Sequence, residues 1–197
     1  MSTEATPLAD VIRRIDDANS QDPNSESWQG ESRPKELLYG ERMSAWLARL
    51  QPDASELLQI AVRAQHIKRW TIARSDYPMD RKGYKRWRSD CARMHADETA
   101  AIMESCGYDE NAIARVRKML RKEGIKRDDD VQALEDCACL VFLEFYFADF
   151  ATQHDEEKLI GVLRKTWPKM SDRGHELALT IDLSADCAAL VEKALAS

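Results

Sequence analysis

The chain is 197 residues long and carries 35 Asp and Glu against 29 Lys and Arg, a net charge of -6; that length suits one domain that buries about two-thirds of its unfolded surface around a single core. Its five cysteines are odd in number and lack paired spacing, which argues against a disulfide framework and for a reducing compartment. No apolar signal core opens MSTEATPLADVIRRIDD and no uncharged stretch reaches membrane-spanning length, so a soluble cytoplasmic protein with no membrane partner is expected.

Leu8, Val11, Ile12 and Ile15 fall at helical spacing and predict a short first helix. NSQDPNSESWQGESRP then breaks the pattern and reads as an ordered loop. Leu37, Leu38, Met43, Trp46, Leu47 and Leu50 predict a second amphipathic helix, closed by Pro52. Asp53 and Glu56 have capping-box spacing and open a third, whose stripe Leu57, Leu58, Ala61, Val62 runs toward His66. After an irregular link through Pro78, a long helix is expected from about Arg81 to Cys106, ended by Gly107, and a fifth carries Ile113, Val116 and Leu120 toward Gly124. The segment from Val131 to Phe150 is apolar on most sides, as a central helix surrounded by others would be. Helices near Glu156 to Arg164 and Ala185 to Ala196 finish the chain. The fold class is therefore all-α: a single helical domain around a buried central helix, divided as 1–33 (first helix and loop), 34–153 (core) and 154–197 (C-terminal helices). There is no internal repeat and no Gly-rich phosphate loop.

One stretch departs from the acidic average. From Arg63 to Arg93 there are ten Lys or Arg and three Asp, a local charge of +7, interleaved with Trp70, Tyr77, Tyr84 and Trp87. Cations mixed with flat rings are what phosphate contact combined with base stacking requires. The candidate ligand-binding residues are Arg63, Lys68, Arg69 and Trp70 around the third helix end, and Arg81, Tyr84, Lys85, Trp87 and Arg88 on the long helix. The plain alternative is a solvated face with core aromatics. A smaller basic-aromatic group, Arg164, Lys165 and Lys169 around Trp167, reads as surface.

Ionisable residues inside apolar stripes are the other signal, because burial of such a group is costly unless it is paired or bound to metal. Glu41, His66, His95 and Asp136 stand in such positions, and two imidazoles with two carboxylates suit one divalent ion, Fe, Mn, Zn or Ni. Singly, an inward His is more often a hydrogen-bonded core residue, and an inward carboxylate more often a cap or an Arg partner. Cys137 and Cys139 point to different helix faces and make no metal pair.

The order Glu41, His66, His95, Asp136 resembles that of the HD-domain superfamily of metal-dependent phosphohydrolases, over about Leu37 to Phe150. The chain departs from it where Ile67 follows His66 in place of the dyad Asp, and where Glu41 replaces the first His. Glu135 competes with Asp136 for the inward position, and Asp136 matches the superfamily's last ligand by place. More closely, IDDANSQDP, RAQHIKRW, YPMDRKGYKRWR and LEDCACLVFLEFYFADF are similar to a family of short proteins known only as a domain of unknown function, which implies no activity.

The expectation is a metal-dependent phosphohydrolase acting on a nucleotide or other phosphorylated small molecule, with Asp97 or Glu98, near His95, as general base. A non-catalytic RNA- or nucleotide-binding module on the same scaffold is the alternative, and an HD-like iron oxygenase a variant of the first. A protein that docks an acidic partner through the basic run is a third class.

Overall fold

Most helices of this chain begin where a short polar side chain can take a backbone N–H that the first turn leaves unbonded. In the computed structural model, which describes residues 6–196, Thr6 caps α1 (Pro7–Asn19), Ser55 caps α3 (Glu56–Arg63), Asp80 caps α4 (Arg81–Ser105) and Asp109 caps α5 (Glu110–Leu120). Asp128, Asp155, Ser171 and Ser184 do the same for α6 (Asp129–Val141), α8 (Glu156–Thr166), α9 (Asp172–Ala178) and α10 (Ala185–Leu195). The cap of α3 is Ser55 rather than the expected Asp53, because Ser55 Oγ is the atom that reaches Leu58 N, at 3.2 Å. For α2 (Lys35–Leu50) the service comes from far away in sequence: Asp22 Oδ2 accepts Glu36 N at 3.0 Å.

The class is all-α, with one small departure. The stretch expected as a loop contains an antiparallel hairpin, β1 (Ser25–Trp28) paired with β2 (Glu31–Pro34), Trp28 facing Glu31. Its two-residue turn is Gln29-Gly30, both at positive φ (52° and 84°), the geometry a tight hairpin turn demands. Short polar strands with no alternating apolar run leave little trace in a periodicity reading.

The chain divides into two compact units. The first comprises the chain up to Ala45 and Asp53–Glu123. In it α5 packs on α3 and α4, and α1 packs on the same two helices. Its core includes Val11, Ile15, Leu38, Met43, Leu58, Ile60, Val62, Ile67, Met103, Val116 and Met119. The second comprises Trp46–Pro52 and the chain from Gly124 onward, so that the boundary after Glu123 falls inside the 34–153 segment read from sequence. Here α9 packs on α6, and α10 on α8. Helix α6 is buried on nearly every side, including Glu135 and Asp136. The run read as one long helix is interrupted by a π-helical turn at Phe142–Tyr146 before α7 (Phe147–Thr152) resumes; an apolar pattern records burial and not the extra residue of a wider turn. Helix α9, seven residues long, has too few residues to show a period and was not expected.

Among the described residues no helix is long and apolar enough to cross a membrane. None of the five cysteines is in a disulfide, and four of them are buried.

Candidate functional site

The site lies in the first unit and is assembled by buried polar residues of the motif IDDANSQDP. Asn19, 1% exposed, accepts Lys68 N at 3.0 Å and donates to the Glu36 carbonyl at 3.5 Å. Asp22 fixes the start of α2 as described. One side chain therefore ties the beginning of α2 to the turn after α3, which ends at Arg63, so His66 sits in a turn rather than on a helix. Lys68 takes a positive φ of 50° there, and the chain enters a short 3-10 turn, Arg69–Thr71. At Gly40 an added Cβ would stand 3.0 Å from the Arg63 carbonyl oxygen. This close approach of α2 to the end of α3 lets the Tyr39 ring lie flat on His66, 3.8 Å between centroids and 9° between planes.

The hydrogen-bond partners fix the state of His66. Arg69 Nη1 is 2.9 Å from Nε2, and a guanidinium only donates, so Nε2 carries the lone pair. Nδ1, 3.1 Å from Glu36 Oε2, therefore carries the proton and donates it. The imidazole is neutral, in keeping with burial and then the Arg69 charge, which hold its pKa well below the ordinary value. Burial pushes the Glu36 carboxyl up, against the charges of Arg69 and Lys35.

His95, on α4 and 3% exposed, stands next to it, ring centroids 6.0 Å apart. Its Nδ1 donates to the Ile67 carbonyl at 2.7 Å. Nε2 is then a bare acceptor, buried and without a hydrogen-bond partner. Burial first, and the His66 neighbour next, bring the His95 pKa down to about 3.

Outward from Arg69 the contacts become aromatic. The Arg69 guanidinium stacks 4.6 Å over the Trp87 ring, Trp87 lies 5.8 Å from Tyr84, and Arg74 and Arg88 each lie 5.9 Å from the Tyr84 centroid. Trp87 is oriented by its Nε1 donating to the Ile72 carbonyl at 2.9 Å. Arg74 clamps the preceding loop through the carbonyls of Tyr77 (3.0 Å) and Pro78 (2.9 Å). Gly83 is required by that loop, since a Cβ there would meet the Pro78 carbonyl oxygen at 2.0 Å.

The sequence candidates are distributed unevenly over this geometry. His66 and His95 are neighbours. Glu41 is not on His66: it pairs with Arg33 at 2.7 Å, and Glu36 holds the imidazole instead. Asp136 belongs to the second unit, where Oδ1 accepts Ser171 N and Gln132 Nε2, each at 2.8 Å, and Oδ2 accepts Ser171 Oγ at 2.5 Å. Glu135 there faces Lys169 at 3.7 Å. Arg63 is held by both oxygens of Asp16 (2.6 and 2.8 Å) and Lys68 by Glu98 (2.7 Å). Asp97 lies 3.8 Å from both Arg117 and Arg121. Arg69, Trp87, Tyr84 and Arg88 make up the ladder, Arg81 and Lys85 are exposed on the same end of α4, and Trp70 is half-buried in the 3-10 turn. Sequence reading missed Glu36, Tyr39, Asn19 and Asp22. The signal was present in the Asn and Asp of IDDANSQDP, but nothing local says which helix they tie.

As arranged, these residues do not make up a metal's ligand set. His95 offers one lone pair, both nitrogens of His66 are engaged with a cation on one of them, and among the described residues no group of three or more His, Cys, Asp or Glu is placed to hold an ion. The fold and the site define an all-α protein with a part-buried Glu-His-Arg chain beside a cation-aromatic ladder. The chain belongs to the family described as Domain of unknown function (DUF4202), which matches residues 9–191. No curated protein and no solved structure matches it.

Proposed function

We propose that this protein is a binding module for a phosphorylated, ring-bearing ligand, a nucleotide or the end of a single-stranded RNA, held without a metal at Arg69, Tyr84, Trp87 and Arg88. The observation that carries the reading is Arg69. One nitrogen is fixed by His66 and its face by Trp87, yet no carboxylate pairs with it among the described residues, so the rest of its N–H fork is oriented and without an anion. A guanidinium held in this way is suited to two parallel bonds to phosphate oxygens. The exposed Tyr84 ring supplies a stacking surface beside it. Calorimetry with 5′-AMP in the presence of EDTA tests this: saturable binding is expected, weakened roughly ten-fold or more by Arg69→Ala. Absence of binding by 5′-nucleotides and by single-stranded RNA to the intact protein overturns it.

A second reading, an HD-like metal-dependent phosphohydrolase or iron oxygenase using Fe, Mn, Zn or Ni, has one observation in its favour. His95 Nδ1 rests on a backbone carbonyl and leaves Nε2 bare, which is how metal-binding imidazoles are commonly oriented. Near one equivalent of metal in the purified protein, with phosphate released from nucleotides or dioxygen consumed, would favour it over the binding reading.

A further inference from the structure

We infer that the ligand is recognised through a terminal phosphate monoester, a doubly charged group, in preference to the singly charged internal phosphodiester of a nucleic-acid backbone; this rests on the binding reading above and narrows it. Two features of the cluster point this way: its charge balance and the number of directions from which it is approached.

His66 touches one carboxylate, Glu36. The strongest charges acting on its ring are four cations from four parts of the chain: Arg69 from the 3-10 turn, Lys122 just after α5, Arg88 from α4, and Lys35 from the start of α2. His66 itself is neutral on its hydrogen-bond pattern and adds no charge. Among the groups that act most strongly on His66, cations thus outnumber the one carboxylate bonded to it, around side chains that are largely withdrawn from water, 19% exposed for His66 and 10% for Glu36. Such an excess is poorly screened and is best relieved by an anion with more than one charge. A phosphate monoester carries about -1.5 to -2 near pH 7.

Geometry selects in the same direction. Arg69 is held by Nη1 on one side and by its face on Trp87, so the edge formed by Nε and Nη2 remains for the ligand, and that edge takes two oxygens of one phosphate. A monoester keeps a third free oxygen for a further cation. A diester has two oxygens esterified, and its chain must leave the part-buried site in two directions. The ladder of Trp87 and Tyr84 leads away from Arg69 on one side, as a group with a single attachment would follow it.

The test compares three ligands with one base: 5′-AMP, 3′,5′-cyclic AMP and adenosine, by calorimetry on the full chain at pH 7.5. The expected result is 5′-AMP tighter than the cyclic diester by roughly ten-fold or more, with adenosine weaker still. Arg69→Lys, which keeps the charge and loses the fork, is expected to collapse the difference between 5′-AMP and cyclic AMP. A pentauridylate with a 5′-phosphate, compared with its 5′-hydroxyl form, shows whether an RNA end is read like a mononucleotide. Equal affinity for 5′-AMP and cyclic AMP overturns this inference and leaves the binding reading standing. Failure of all the ligands to bind overturns both.

Discussion

Two buried carboxylates, one in each compact unit, have opposite circumstances. Asp136 on α6 has its oxygens filled by three donors from Ser171 and Gln132. The glycine of α9 comes so close that a Cβ at Gly174 would stand 2.9 Å from the Asp136 carboxyl carbon. That is a latch: an acid holding the cap of one helix against the side of another, with both its oxygens bonded inside the protein. Glu36 has one side-chain partner, His66, and beyond it an arginine whose outward edge has none. The contrast teaches that burial of an acid does not mark a site. What marks it is a chain of bonds that ends on a group with capacity left over.

The comparison breaks first at Asp136. Asp136→Ala strands the Ser171 and Gln132 donors, and the expected loss in urea unfolding is about 3 kcal/mol or more, with nucleotide affinity unchanged. A loss below about 1 kcal/mol would mean that Asp136 is no latch.

Acid is the next lever. His95 has a folded pKa of about 3 against an ordinary 6.5, so between those values the unfolded chain binds the proton and the folded one does not. Its share of stability is complete above about pH 6.5 and falls with acidification toward pH 3, by at most about 1.4 kcal/mol per pH unit, or roughly 2 kcal/mol by pH 5. His66, also depressed, acts in the same sense. Denaturation at a series of pH values should show this slope reduced in His95→Gln, and an unchanged slope would remove His95 as its source.

His66→Phe sharpens the site itself. The ring stack on Tyr39 is retained, while the bonds to Glu36 and Arg69 are lost. We expect a stability cost of about 1 to 2 kcal/mol and loss of most phosphate-dependent affinity, read by calorimetry with 5′-AMP. Smallest is Lys68→Ala. Both side chains of its pair with Glu98 are over a third exposed, so a change within about 0.5 kcal/mol in thermal unfolding is expected.

Much of the architecture was legible without coordinates. The apolar stripes, with Gly107 and Gly124 at positive φ after α4 and α5, placed most helices because those signals are local and repeat along the chain. The basic-aromatic run was visible in composition. Its division into bonded and unbonded cations was not: Arg63 and Arg69 look alike in sequence, yet one is locked by Asp16 and the other is not. Glu41 and Glu36 stand five positions apart on one helix, and periodicity made Glu41 the inward acid, whereas the close approach at Gly40 and the Asn19 bridge aim Glu36 at His66.

By itself the sequence determined an all-α chain, the position of most of its helices, and a concentration of cations and rings between residues 63 and 93, because helix periodicity, capping and charge are properties of neighbours along the chain. Tertiary structure alone decided which acid meets which imidazole, which ring nitrogen holds the proton, and which arginine keeps an edge without a partner. Those depend on contacts across 30 residues between Glu36 and His66 and 49 between Asn19 and Lys68, and a hydrogen bond has no period for the sequence to display.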